Sequence, residues 1–173
     1  MQIIVLRFDY KTSMQVEHLQ KQVNAANPTA KKSLPPHITL QAYINTNPTD
    51  LKNAIEPWAK TVGQISLPFA SLGFFKQQGS FYLSPVWTKK LSDLHLAIHL
   101  ATKDFTTEGS HYFPDQWVPH ATVANNIAAS FWGPLFARLS LEFEPFTGLG
   151  VAIECWSVIE GNAQTEWSIF LNE

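Results

Sequence analysis

The sequence predicts an α+β fold of two similar lobes, related by a pseudo-twofold, whose motif strands face each other across a groove. Three observations predict it. A Pro-His-apolar-Thr-apolar run occurs twice, as Pro36-His37-Ile38-Thr39-Leu40 and Pro119-His120-Ala121-Thr122-Val123. A second hexapeptide, Pro68-Phe69-Ala70-Ser71-Leu72-Gly73, returns as Pro145-Phe146-Thr147-Gly148-Leu149-Gly150. The hexapeptides are offset by 77 residues and the histidines by 83, so each half holds a motif strand, a helical segment and a Pro-Phe strand in that order. Around these runs, strand-like stretches of period two alternate with helical ones.

Taken in order, Ile3 to Phe8 is a short apolar run that reads as a buried strand. Ser13 is the expected cap of a helix carrying Val16, Leu19, Val23 and Ala26, and Asn27-Pro28 stops it. Lys31 and Lys32 fall in the loop before the first motif strand, which runs to about Ile44. Asn47-Pro48-Thr49-Asp50 starts a second helix through Leu51, Ile55, Trp58 and Val62, with Pro57 as an expected kink. Ile65 to Phe75 and Ser80 to Val86 form a hairpin around Gln77-Gln78-Gly79. Trp87, Leu91, Leu94, Ile98, Ala101 and Phe105 step by four and three, the clearest amphipathic helix in the chain, closed by Glu108-Gly109. A weak helix from about Ser130 to Arg138 is interrupted by Gly133-Pro134. Leu141 to Glu160 is mostly strand-like, and Gly161-Asn162 turns it back into Trp167 to Leu171.

The bulk numbers bound the function. The chain has 173 residues, 45% hydrophobic and 15% charged, which suits one domain, 1–173, with repeats of roughly 1–86 and 87–173. A net charge of -2 leaves no broad basic footprint for long nucleic acid, while a small or end-bound phosphate stays compatible. The single cysteine, Cys155, allows neither an internal disulfide nor a cysteine-based zinc cluster. Met1 leads into an apolar run too short for a signal peptide, and no run approaches the roughly 20 residues of a membrane span. A cytoplasmic monomer with no membrane partner is expected.

The motifs carry the chemistry. Side chains at i and i+2 share a strand face about 7 Å apart, so His37 lies beside Thr39 and His120 beside Thr122, each pair on a rigid element with an apolar back. An imidazole titrates near pH 6.5, so a facing pair supplies a general base and a general acid together. Threonine hydroxyls can donate to the non-bridging oxygens of a phosphodiester. Nothing in this set demands a metal or another cofactor. A single motif is usually an ordinary half-buried strand, but packing does not explain two copies in matching register. His95 and His99, at i and i+4, read as surface positions flanking the helix stripe, although that spacing can hold zinc. His18 reads as exposed. His111 and Trp117 belong to a loop that either lines the groove or simply packs. Trp156 reads as a core or edge residue, though a tryptophan there could stack a base.

Together the two motifs resemble those of the two-histidine phosphoesterase superfamily, most nearly its 2'-5' RNA ligase-like and RNA 2',3'-cyclic phosphodiesterase branch, over nearly the whole chain. The resemblance implies a bilobal α+β fold with antiparallel sheets flanking a central groove. It implies metal-independent hydrolysis of 2',3'-cyclic phosphate ends of RNA or nucleotides to 2'-phosphates, with 2'-5' RNA ligation a further activity. It also implies that His37 is the proton donor, His120 the proton acceptor, and Thr39 and Thr122 the phosphate binders. Two stretches depart from the family: Ala124-Asn125-Asn126, where relatives often carry a basic residue, and Gln41-Ala42-Tyr43, where a Phe-rich run is commoner. They leave RNA ends, 2'-5' oligonucleotides and small cyclic nucleotides open as substrates. Two other classes stand beside the enzyme: a non-catalytic nucleotide or RNA-end binding module on the same fold, and a metalloprotein built on His95, His99 and His111.

Overall fold

Strand β1 (Gln2–Phe8) buries Ile3, Ile4, Val5 and Leu6 in succession, as a strand covered on both faces must. The computed structural model describes residues 1–26 and 34–173. The predicted stop at Asn27-Pro28 and the Lys31-Lys32 pair lie outside the described residues. Helix α1 (Tyr10–Ala26) begins ahead of Ser13, because the Asp9 carboxylate accepts the Thr12 N–H at 2.9 Å and is the effective cap. Strand β2 (His37–Tyr43) holds the first motif. Helix α2 (Pro48–Ala59) starts where the sequence places it: Asn47 Oδ1 accepts the Thr49 N–H at 2.9 Å, and Pro48 occupies the first turn. Strands β3 (Ile65–Phe75) and β4 (Ser80–Pro85) turn at Gly79, whose φ of +57° and 2.5 Å approach of a Cβ to the Ile127 carbonyl oxygen admit only glycine.

Helix α3 (Lys89–Ala101) is shorter than its apolar stripe. Thr88 Oγ1 caps it by accepting the Leu91 N–H at 3.3 Å, so Trp87 precedes it and Phe105 follows it. Strand β5 (Ala121–Ala124) holds the second motif, with His120 immediately ahead of the ladder. Gly133-Pro134 does not interrupt the next helix. A 3-10 turn (Ala129–Phe131) leads into α4 (Trp132–Glu142), and Pro134 falls in the first turn, where its missing N–H has no partner to lose. Leu141 is therefore helical. Strand β6 (Phe146–Ile159) then turns through Glu160 and Gly161, both at positive φ, into β7 (Asn162–Phe170).

The strands pair antiparallel in the order β2-β1-β6-β3-β4-β5, with β7 added to β6. This order is unchanged when β1 exchanges with β4, β2 with β5 and β3 with β6. The chain accordingly runs β1-α1-β2-α2-β3 and then β4-α3-β5-α4-β6, the same sequence of elements twice. The pseudo-twofold passes between β3 and β6. There Phe69 pairs with Phe146 and their rings lie 5.1 Å apart, so the phenylalanines of the repeated hexapeptide meet at the axis. The glycines of that hexapeptide have a shared reason. A Cβ on Gly73 would come within 2.2 Å of the Tyr82 ring, and one on Gly150 within 2.7 Å of Leu6, because a neighbouring strand's side chain lies across each backbone.

Each half's first helix packs on the other half's motif strand: α1 on β5 and α3 on β2. Gln20 of α1 donates to the Thr122 carbonyl at 3.0 Å. Tyr43 of β2 donates to Thr102, at the end of α3, at 2.6 Å. This exchange draws β2 and β5, the two ends of the ladder, into contact with one another. No helix among the described residues is long and apolar enough to cross a membrane.

Candidate active site

Both histidines enter the same way. Pro36 and Pro119 each bias the residue before them away from the helical region. The Pro35 carbonyl then accepts from His37 Nδ1 at 2.6 Å, and the Val118 carbonyl from His120 Nδ1 at 2.7 Å. A proton fixed on Nδ1 leaves Nε2 of each neutral ring with its lone pair. Aromatic walls hold the rings. Trp156 lies 4.8 Å from His37, while Phe75 and Tyr82, stacked on each other, lie 4.9 and 5.3 Å from His120.

Burial sets the charge state. Desolvation pulls His37 down to about 4, against the Pro35 carbonyl, and the charge His120 can carry lowers it further. His120 is lowered by the same desolvation, opposed by the Val118 carbonyl. Both rings are therefore predominantly neutral at pH 7.

His37, Thr39, His120 and Thr122 line one groove of about 620 Å³. Thr39 is buried, with its hydroxyl 3.1 Å from His37 Nε2. Thr122 is half-buried on the facing wall. The arrangement offers two bases and two hydroxyl donors around a space of small-ligand size.

The remaining candidates separate. His95 is not a surface residue. It is 2% exposed and stacks parallel on Trp117 at 3.8 Å, because α3 turns it inward with Leu91, Leu94 and Ile98. His99 packs on Phe113 instead. Among the described residues no three His, Cys, Asp or Glu side chains are grouped to hold a metal ion. His18 is exposed, and His111 lines the groove. Trp117 is buried, and its indole donates to the Thr39 carbonyl at 3.0 Å, joining the approach to motif two to motif one. Trp156 is buried as well. Its indole N–H donates to Glu154 at 2.8 Å, so it serves as the wall behind His37. Cys155 is buried, its thiol pushed up to about 12 by desolvation.

Two features escape sequence reasoning. Ser80 donates to Asn125 at 2.6 Å on the groove wall, where neither residue carries a pattern of its own. Tyr112 lines the same groove. Its only sequence signal is the aromatic loop around His111.

A family model of the 2'-5' RNA ligase superfamily matches residues 8–162. No curated protein matches the sequence. Among solved structures the chain is similar to E. coli LigT complexed with 3'-AMP, at 12% identity and a TM-score of 0.68, covering 99% of this chain and 98% of that one. It is similar to TT0787 of Thermus thermophilus at 11% identity and a TM-score of 0.67, covering 98% and 97%. It is also similar to E. coli LigT complexed with NADP+, at 13% identity and a TM-score of 0.64, covering 99% and 98%. At these identities the structural likeness speaks for the fold, and the family match over most of the sequence carries the assignment: the chain belongs to the 2'-5' RNA ligase superfamily of two-histidine phosphoesterases.

Proposed function

We propose that the protein is a metal-independent phosphodiesterase that opens 2',3'-cyclic phosphates of nucleotides or RNA ends to 2'-phosphates. The observation that carries this reading is the duplicated clamp, Nδ1 on the carbonyl two residues back, which gives one groove two imidazoles with the same free nitrogen. His120 takes a proton from water as its oxygen attacks phosphorus. His37 gives a proton to the 3'-oxygen as the P–O3' bond breaks. Thr39 and Thr122 donate to the non-bridging oxygens, where charge shifts in the transition state. With a ribose 5'-hydroxyl in place of water, the same steps form a 2'-5' linkage. E. coli LigT complexed with 3'-AMP, ATP and NADP+ supports a nucleotide-sized ligand here.

The test is incubation with nucleoside 2',3'-cyclic monophosphates in excess chelator, with products separated by chromatography. The nucleoside 2'-phosphate is expected at an undiminished rate. Binding without turnover would instead favour a nucleotide-binding module. Loss of turnover restored by a divalent ion would point to metal-assisted hydrolysis.

The neutral resting state has a consequence for pH. As pH rises the acid histidine loses its proton, and as pH falls the base histidine gains one, so activity drops on both sides. Because both rings are lowered, kcat/KM is expected to peak below about pH 6.5, the ordinary histidine value. A bound phosphate anion raises both imidazoles, so the kcat profile is displaced to higher pH. A kcat/KM maximum above neutrality would contradict this assignment. The limbs belong to the coupled pair rather than to either ring.

A further inference from the structure

Glu154 of β6 is a buried carboxylate, 5% exposed, that takes no part in the acid–base steps. Its Oε1 lies 2.8 Å from Arg7 Nε and accepts from the Ser168 hydroxyl at 2.7 Å. Its Oε2 accepts from the Trp156 indole at 2.8 Å. Strand pairing puts all four side chains on the His37 face of the sheet. Arg7 is the cross-strand partner of His37, Val5 pairs with both Thr39 and Glu154, and Ser168 pairs with Glu154. Trp156 follows Glu154 by two residues on the same strand, and its ring meets His37 edge-on with centroids 4.8 Å apart. We propose that Glu154 is a positioning residue of this site, holding Trp156 against His37 through the indole N–H.

Stability alone is a poor reason for a carboxylate here. Burying a charge is costly, and a buried ion pair is often no better than apolar side chains of the same volume. The neighbouring Ala152, Ile153 and Cys155 are all apolar and buried, so β6 would accept such a residue. What the carboxylate adds is direction. Arg7 and Ser168 share Oε1, which turns Oε2 toward the indole. Arg7 is steadied in turn by the Phe170 ring, 5.4 Å from its Cζ. The indole has a single N–H, so this one bond fixes the edge of a ring whose face packs with Ile3, Val5 and Ala42. A ring held in that pose keeps water from His37, and desolvation is the chief reason that His37 rests near 4. The second motif is built otherwise. His120 is walled by Phe75 and Tyr82, which stack on each other, and among the described residues no carboxylate bonds either ring. Only the effect of Glu154 on turnover rests on the acid–base reading above.

Besides Arg7 and Glu154 behind Trp156, the titratable side chains near His37 are those that share its groove: His120, Tyr112, His111 and Lys76. The experiment follows the imidazole resonances by NMR across a pH titration of the free protein, in the wild type, Glu154→Asp, Glu154→Gln, Trp156→Phe and the double variant Glu154→Asp/Trp156→Phe. Glu154→Asp keeps the charge beside Arg7 and withdraws the oxygen from the indole. Glu154→Gln removes the charge and keeps an oxygen for the indole, because half-exposed Arg7 can turn to water and the buried indole cannot. The His37 midpoint is expected to rise by about half a unit in Glu154→Asp, a roughly threefold gain in proton affinity, with His120 unmoved. Trp156→Phe should raise it at least as much, and Glu154→Gln should leave it within about 0.2 unit of the wild type. The double variant should match Trp156→Phe, since Glu154 acts only through the indole. A His37 midpoint unmoved in folded Glu154→Asp or in Trp156→Phe would overturn the proposal. So would a shift confined to Glu154→Gln, which would mean that the charge acts and not the bond. With a nucleoside 2',3'-cyclic monophosphate, Glu154→Asp should lower kcat about tenfold and leave KM within about twofold, and Glu154→Gln should recover most of that loss. The titrations need no turnover. A wild type that hydrolyses no cyclic phosphate would sink the proposed function, and the titrations would still decide the role of Glu154.

Discussion

His37→Ala and His120→Ala are each expected to lower kcat by about 10²–10⁴-fold, the usual worth of one positioned acid or base. The double variant should be little worse than either single, because a base without its acid, or an acid without its base, completes only half of the displacement. Both singles should stay folded. Each ring sits in the groove, and the buried Ile38, Leu40, Ala121 and Val123 on the opposite strand faces keep their packing. The comparison that assigns roles uses a phosphodiester with a highly activated leaving group, which departs without a proton. If His37 is the donor, His37→Ala should recover most of its activity on that substrate while His120→Ala stays impaired. The reverse pattern would exchange the two roles. Equal recovery would mean that neither ring has the role proposed for it. The low value of His37 makes this assignment demanding: a donor that rests near 4 must gain its proton as the phosphate arrives.

Trp117→Ala should be the most damaging core substitution near the site, at about 3–5 kcal/mol of stability. The indole is 2% exposed, donates to the Thr39 carbonyl, stacks on His95 and meets Trp87 edge-on at 5.7 Å. Its loss leaves a cavity and an unpaired buried carbonyl together. The cost should also depend on pH. Burial holds His95 down to about 4, with the Tyr112 and Leu40 carbonyls opposing it and His99 adding to it. Between pH 6.5 and 4 the unfolded chain therefore binds a proton that the folded one refuses. Stability present above pH 6.5 is lost as pH falls toward 4, on the order of 3 kcal/mol for this group. In Trp117→Ala water reaches His95, its value returns toward 6.5, and that share of the acid loss disappears. Urea unfolding at pH 7.5 and pH 5 should show a smaller difference between wild type and variant at the lower pH. A difference that does not change with pH would remove His95 from this account.

Much of this was legible in the sequence, because it rests on repetition and local geometry. The i, i+2 rule puts each histidine beside its threonine without reference to any partner strand. The repeated hexapeptide announces two equivalent strands, and the structure supplies the reason for its Phe and Gly: the Phe69–Phe146 contact on the axis, and the side chains lying over Gly73 and Gly150. Asn47-Pro48 sets a helix start by bonds made within three residues. The misplaced boundaries, at Ser13, at Trp87 and at Gly133-Pro134, are ones where a neighbouring residue caps better or where proline is harmless in a first turn.

What only the tertiary structure decided is which surfaces the two halves give each other. Helical period places His95 beside the apolar stripe of α3 and says nothing of what covers that flank. The cover is Trp117, 22 residues later in the chain, brought there because α3 packs on β2 of the other half. The same crossing ties Trp117 to the Thr39 carbonyl. Trp156 becomes the wall of His37 because β6 pairs with β1, which pairs with β2. The residue types of the candidate site follow from a local repeat. Their resting charge follows from desolvation that exists only once distant segments close over the groove.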